Sequence, residues 1–188
     1  TGNNIIGQIG LGSSNSVKSF TEVPVLSGLT VNSIFTGSQH SFALTTDGVY
    51  ATGYNNRGQL GLDHSTDNYR TFTKVPSLSG IDVVSFAVGA YHSAAVTSDG
   101  LLYLTGWNPY SQIGLSTSPN IYEEFTLVTA LASKTVTAVS AGDYNTVAIT
   151  SDGGAFFTGY NSNHEIGNDI SLVTKFTQIA SLNKKHVI

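Results

Sequence analysis

Two histidines occupy the same place in a recurring pattern, Gly37-Ser38-Gln39-His40-Ser41 and Gly89-Ala90-Tyr91-His92-Ser93. Imidazole is a common zinc ligand, but a zinc site requires several ligands to converge on one point. The third copy of the pattern carries Asn145 instead, an amide that can hydrogen-bond like an imidazole but ligates metal poorly. His40 and His92 therefore read as structural hydrogen-bonding groups, and no metal is expected. Gly53 and Gly58 have the spacing of phosphate-loop glycines. Such a loop needs lysine and then serine or threonine after the second glycine, and Gln59 and Leu60 follow here. Those glycines read as architecture. There is no Gly-x-Ser-x-Gly elbow, and the adjacent carboxylates Glu123 and Glu124 lie in a variable loop, where a solvated turn explains them. Cysteine is absent, which excludes thiolate chemistry, disulfides and cysteine-ligated zinc. No catalytic residue and no cofactor are expected, so the chain reads as non-enzymatic.

What must position these residues is a repeat. The segment Thr52-Gly53-Tyr54-Asn55-Asn56-Arg57-Gly58-Gln59-Leu60-Gly61-Leu62 has copies starting at Thr1, Thr105 and Thr158, offsets of 51, 53 and 53 residues. The G-x-x-H pattern keeps the same beat from Gly37, Gly89 and Gly142. A fixed period near 50 residues marks a repeat architecture. The period divides the chain into units 1–51, 52–104, 105–157 and an incomplete 158–188. Each period reads as four short strands. In the first they are Phe20–Val23 as an edge strand, Val31–Phe35, His40–Thr45 and Val49–Gly53. Asp47-Gly48, Asp99-Gly100 and Asp152-Gly153 each separate two β-rich runs, the sequence mark of a hairpin. No stretch holds a helical period, so the chain is all-β.

Composition narrows the partners. Hydrophobic residues make up 40% and charged residues 11%, a globular balance poor in charge. Net charge is −4, with eight lysines and arginines in all, so no basic stripe is available to neutralise phosphates and direct nucleic-acid binding is not expected. Lys184 and Lys185 form the one adjacent basic pair. No apolar run approaches the roughly 20 residues of a membrane helix, and no membrane association is expected. The lack of cysteine fits a reducing compartment, and an intracellular setting (cytoplasmic, nuclear or cytoskeleton-associated) is the expectation. The first residue already lies inside a repeat, so the chain reads as part of something longer.

The order G-x-N-x-x-G-Q-L-G-L, F-x-x-V-P-x-L, G-x-x-H-S-x-A-[LV]-T-x-D-G, an aromatic and then T-G resembles the regulator of chromosome condensation repeat. The resemblance extends over essentially every period. It implies a β-propeller of four-stranded blades around a central channel, usually seven of them. About three and a half blades would be present here. The remaining blades would come from the same chain or from a second copy, because an open half-propeller exposes apolar faces and bare strand edges. Some copies depart from the pattern. His164-Glu165 replaces Gly58-Gln59, Asn168 replaces a leucine, and Ser111 stands where glycine is expected. Gly58, Gln59, Gly61, His40, His92, Gly48, Gly100 and Gly153 are the residues expected to serve the repeat itself.

The family's founding member exchanges nucleotide on a Ran-type small GTPase with acidic and histidine side chains of the G-x-x-H loops. The matching positions here are Ser38, Gln39 and His40; Ala90, Tyr91 and His92; and Asp143, Tyr144 and Asn145. Asp143 alone supplies an acid, so exchange activity is the alternative reading. The preferred expectation is a propeller scaffold that binds a protein partner through loops on one face, as a component of a larger assembly such as a ciliary or cytoskeletal complex. Tyr54, Trp107 and Tyr160 share one repeat position, where packing between blades is expected. Tyr91 and Tyr144 share another. Tyrosine and tryptophan favour protein interfaces, and the partner-binding candidates are Tyr91, Asp143, Tyr144, Trp107, Pro109 and Tyr110.

Overall fold

The computed structural model describes residues 1–65, 68–115 and 119–182, and their strands pair into three antiparallel sheets of four. Lys184 and Lys185 lie outside the described residues. The first blade holds β1 (Val31–Thr36), β2 (His40–Thr45), β3 (Gly48–Gly53) and β4 (Tyr69–Lys74). The second holds β5 (Val83–Val88), β6 (His92–Thr97), β7 (Leu102–Trp107) and β8 (Ile121–Leu127). The third holds β9 (Val136–Ala141), β10 (Asn145–Thr150), β11 (Ala155–Tyr160) and β12 (Leu172–Gln178). Each sheet is a meander in chain order, and β1, β5 and β9 lie beside one another. Short 3-10 turns precede β1, β5 and β9 (Pro24–Leu26, Pro76–Leu78 and Thr129–Leu131), and a fourth follows β12 (Ala180–Leu182).

Blades and sequence periods are out of step. The F-x-x-V strand that opens the second period is β4, and it pairs with β3 of the period before it, Tyr50 opposite Lys74 and Ala51 opposite Thr73. The same holds for β7 with β8 and for β11 with β12. Phe20–Val23, expected to be an edge strand, is not one. Its equivalents pair with the strand just before their own T-G loop, as β4 does with β3, and no described strand takes that place beside Phe20–Val23. The three expected hairpins form, with different loops. Thr45 pairs directly with Gly48. In the other two, Thr97 bonds to Leu101 and Thr150 to Gly154, around glycines at φ 82° and 81°. A three-residue loop of this kind needs one left-handed residue, and glycine supplies it without strain.

The core lies between blades. Phe42 of the first blade stacks on Phe86 of the second at 4.6 Å, with Phe125 edge-on to both at 5.9 Å. Between the second and third blades, Ala94, Leu104, Ile113, Val136 and Ala148 fill the same layer with smaller groups. The phenylalanine of each F-x-x-V strand lands on a glycine of an earlier T-G segment: Phe72 on Gly10, Phe125 on Gly61 and Phe176 on Gly114. These three rings are 6%, 5% and 8% exposed, whereas Phe20 is 94% exposed. On the same flank Ile34 is 51% exposed, against 6% for its equivalent Phe86. At the other flank Gly167 meets nothing within 4 Å. Each flank thus carries half of an inter-blade contact.

Gly61 has φ 68°, and a methyl group there would lie 2.6 Å from the Phe125 ring. Gly61→Ala is expected to cost the backbone strain plus a packing clash, about 2–4 kcal/mol. Gly167→Ala, with φ 71° but open space, is expected to cost only about 1–2 kcal/mol of strain. Urea unfolding of the two variants checks this, since equal losses would rule out the glycine socket as a packing contact.

Candidate functional site

The T-G segments at 52–62 and 105–115 are largely buried loops wedged between two blades, and their backbone groups must find partners. Asn55 and Gln59 are fully buried within the first. The Asn55 carboxamide oxygen accepts the Leu60 N–H at 2.9 Å while its amide donates to the His64 carbonyl at 2.5 Å. The Gln59 side-chain oxygen accepts the Arg57 N–H at 2.9 Å. Asn108 and Gln112 repeat this with Ile113 and Tyr110. Asn161 does so with Ile166, and Glu165 takes the glutamine's place by accepting the Asn163 N–H at 3.1 Å. At the Gly58 position Ser111 and His164 keep the left-handed conformation, φ 58° and 60°. The departures from the repeat therefore leave the loop's path unchanged, at a strain of about 1 kcal/mol each.

Hydroxyls of the next blade close these loops. The Ser93 hydroxyl donates to the Gln59 carbonyl at 2.8 Å and Thr146 to that of Gln112 at 2.7 Å. Thr105 lies 2.9 Å from the Gly58 carbonyl and Thr158 lies 2.7 Å from that of Ser111. The histidines extend the same chain. His40 Nε2 is 2.8 Å from Ser93 Oγ, and His92 Nε2 is 2.8 Å from Thr146 Oγ1. Because each hydroxyl hydrogen is already given to a carbonyl, each imidazole donates from Nε2. Both rings are wholly enclosed, and burial pushes their pKa values down from 6.5, to about 3 for His40 and about 4 for His92. The neighbouring His92 adds to the depression of His40. These are neutral cross-blade links. Among the described residues no group of three or more His, Cys, Asp and Glu side chains is placed to hold a metal.

The loops after β1, β5 and β9 and those after β3, β7 and β11 gather at one end of the blades. Gly106 matters here. With φ 112° and no side chain, it lets the end of β7 approach so closely that a methyl group would sit 2.6 Å from the Tyr91 carbonyl. The Trp107 N–H then donates to that carbonyl at 2.9 Å. The Trp107 and Tyr91 rings meet edge to face at 5.4 Å. The third blade repeats the contact, Tyr160 N–H to Tyr144 carbonyl at 2.9 Å. The rings then join across the blades. Tyr91 and Tyr144 lie nearly parallel at 5.9 Å, Tyr110 is 5.1 Å from Tyr144 and 5.5 Å from Tyr160, and Trp107 is 5.7 Å from Tyr110. Edge-to-face and offset pairs of this sort add about 0.5–1.5 kcal/mol each beyond area burial. The Arg57 guanidinium reaches from the first blade to 5.1 Å from the Trp107 ring centre. The Tyr144 phenol is raised above its ordinary pKa, first by loss of water contact and then by Tyr91, Asp143 and Tyr110.

Tyr91, Trp107, Tyr110 and Tyr144 thus form one patch, with Asp143 exposed beside Tyr144 and Pro109 exposed beside Tyr110. Two members are additional to the sequence candidates. Tyr160, read as packing between blades, joins the patch, and Arg57 covers its flank. Arg57 was legible in principle, because it holds the repeat position of Tyr110, and both reach toward the T-G aromatic of the following blade. Gln39 stands where Tyr91 and Tyr144 stand in later blades, so the aromatics concentrate on the second and third.

Three interlocked meander sheets with their loops gathered at one end define a repeat-built β-propeller. The regulator of chromosome condensation (RCC1) repeat model matches residues 46–96 and 99–149, and a second model of the same repeat matches 31–59, 83–112 and 136–165. The chain is 33% identical over 163 residues to the ultraviolet-B receptor UVR8 of Arabidopsis thaliana, covering 84% of this chain and 36% of that protein. It is 39% identical over 122 residues to the mouse X-linked retinitis pigmentosa GTPase regulator, covering 64% of this chain and 12% of the relative. Human WBSCR16 has the same fold, with a TM-score of 0.75 at 24% identity over 93% of this chain and 46% of its own. The chain belongs to the regulator of chromosome condensation repeat family, and it spans less than half the length of each of these relatives.

Two outcomes follow from the loop and the histidines. Ser111→Gly removes a left-handed serine and a buried, unpartnered hydroxyl, and is expected to stabilise the protein by about 1–2 kcal/mol in urea unfolding. An unchanged or lower stability would contradict the strain. The folded histidines have pKa values below the unfolded 6.5, so the unfolded chain takes up protons first as pH falls. Their contribution is full above about 6.5 and falls between there and about 4 by about 1.4 kcal/mol per pH unit for each histidine. Replacing His92 by Asn, the residue native at position 145, should flatten that slope. An unaltered slope in unfolding curves across this range would contradict the assignment.

Proposed function

We propose that the chain is part of a non-enzymatic propeller scaffold that binds a protein partner through the loops at the aromatic end. The observation that carries this reading is the patch of Tyr91, Trp107, Tyr110, Tyr144 and Tyr160, spread over two blades and held by ring contacts of 5.1–6.3 Å. Tyr110 is 37% exposed and the others are half-buried, which leaves a rigid aromatic surface with polar tips. Such surfaces give binding energy at low conformational cost. The partner is then met by side chains that differ between copies, while the shared residues hold the frame. The relatives' names, a light receptor and a GTPase regulator, fit a frame that serves unlike roles. Flanking blades, from the same chain or a second copy, would cover Phe20, Ile34 and Gly167.

Exchange on a Ran-type small GTPase is the alternative, and the observation favouring it is the exposed Asp143 in the G-x-x-H loop position. One carboxylate among neutral neighbours is thin equipment for displacing magnesium and phosphate contacts. Release of fluorescent GDP from a Ran-type GTPase is expected to stay at its spontaneous rate when the protein is added. An acceleration abolished by Asp143→Ala would replace the scaffold reading with the exchange reading.

For the scaffold reading, quantitative affinity capture compares the unaltered protein with Trp107→Ala/Tyr110→Ala and with Lys74→Ala, a change at the opposite end of the blades. Hot-spot aromatics of this kind cost at least about 2 kcal/mol when truncated, so partners held by the aromatic end should fall about 30-fold or more in affinity with the first variant. They should be unaffected by the second. Equal capture by all three forms would reject the aromatic end as the binding face.

A further inference from the structure

The patch is chemically one-sided. Aromatic ring faces carry negative potential, and indole and phenol rings attract cations placed over them within about 6 Å. Asp143 adds an exposed carboxylate on the loop that carries Tyr144. The Tyr91 ring lies nearly parallel to that of Tyr144 at 5.9 Å, and the Tyr110 ring is 5.1 Å from it. Aromatic rings and a loop bearing an exposed carboxylate therefore meet where the second and third blades join.

The protein already shows what such a surface accepts. At the junction of the first and second blades the residue reaching forward is Arg57, with its guanidinium carbon 5.1 Å from the Trp107 centre. At the junction of the second and third blades the equivalent residue is Tyr110, 5.5 Å from Tyr160. The first junction supplies its own cation; the second replaces it with a further ring, and Asp143 stands exposed next to Tyr144 in the same patch. Net charge of −4 over the chain favours approach of a positive group.

We propose that the junction of the second and third blades receives an arginine or lysine side chain of the partner, its alkyl stem along Tyr110 and Tyr144 and its charge against Asp143. This rests on the protein-binding reading of the same face and names the chemistry that face selects. Guanidinium is the better match, because its flat, weakly hydrated surface stacks on rings as an ammonium does not.

Trp107 is the single tryptophan of the sequence, so its emission reports on the patch alone. The full chain is titrated with octapeptides of alternating glycine and arginine, glycine and lysine, or glycine and glutamate, at low and high salt. The arginine peptide is expected to change Trp107 emission saturably, the lysine peptide more weakly and the glutamate peptide not at all. Asp143→Asn should weaken the arginine peptide by about 5-fold or more, and Tyr144→Leu should do likewise by removing the ring. Circular dichroism of both variants checks that the fold is retained. Equal response to the glutamate peptide, or an unchanged affinity in Asp143→Asn, would overturn the proposal. So would emission that depends on protein concentration without peptide, which would make a second copy the occupant. In the capture experiment, loss with Trp107→Ala/Tyr110→Ala but not with Asp143→Asn removes the cation and leaves the protein-binding reading standing. Loss with neither removes both.

Discussion

The architecture depends on how a polar loop is buried between two sheets. The T-G segments between blades, at 52–62 and 105–115, carry a turn-rich backbone into an apolar seam, where an unpaired N–H or C=O would cost as much as a lost hydrogen bond. The loop meets part of this need with its own asparagine and glutamine, as Asn55 and Gln59 do. The next blade meets the rest with Ser93 and Thr105, whose hydroxyls reach the Gln59 and Gly58 carbonyls. Neither blade satisfies the loop alone. This mutual dependence joins sheets that share no strand pairing, and it accounts for the burial of threonine, serine and histidine there. The phenylalanine and glycine socket, Phe125 on Gly61, adds the apolar half of the same joint.

The aromatic end follows from that joint. Once Thr105 is fixed by two carbonyls and Gly106 allows close approach, the Trp107 backbone is locked to the Tyr91 carbonyl. Its ring then has little choice but to meet Tyr91. The residue two before the loop glutamine is carried onto the following blade by the same wedge, which brings Arg57 to Trp107 and Tyr110 to Tyr160. Structural residues thus set positions at which side chains vary freely. Blade one fills them with Gln39, Tyr54 and Arg57, and blade two with Tyr91, Trp107 and Tyr110.

Period and strand pattern made an all-β repeat of four short strands legible in the sequence, and the resemblance to the regulator of chromosome condensation repeat implied that those strands form propeller blades. The assignment of strands to blades was less legible. Nothing in Phe72-Thr73-Lys74-Val75 tells a reader that it pairs backward across the T-G loop, because a strand pattern states which face is apolar but not which neighbour it joins. Phe20-Thr21-Glu22-Val23 has the same apolar pattern and forms no strand, because no described strand lies where its pairing partner would be. The hairpin loops differed for a similar reason, as the glycine after aspartate enters the strand in blade one and the turn in the other two. Among the patch residues, Tyr91, Trp107, Tyr110 and Tyr144 were visible as repeated or deviant aromatics. Tyr160 and Arg57 were obscured because their role comes from the neighbouring blade, which sequence spacing alone does not bring near.

The central claim is that one end of these blades, built by the loops after the first and third strands, is where a partner sits. Hydrogen–deuterium exchange of the full-length protein, alone and in complex with a captured partner, reads this directly. The account predicts new protection in Ala90–Tyr91, Trp107–Gln112, Asp143–Tyr144 and Tyr160, with the hairpin turns at Asp47, Asp99 and Asp152 unchanged. Protection confined to those turns and to the 3-10 segments at the opposite end would contradict it.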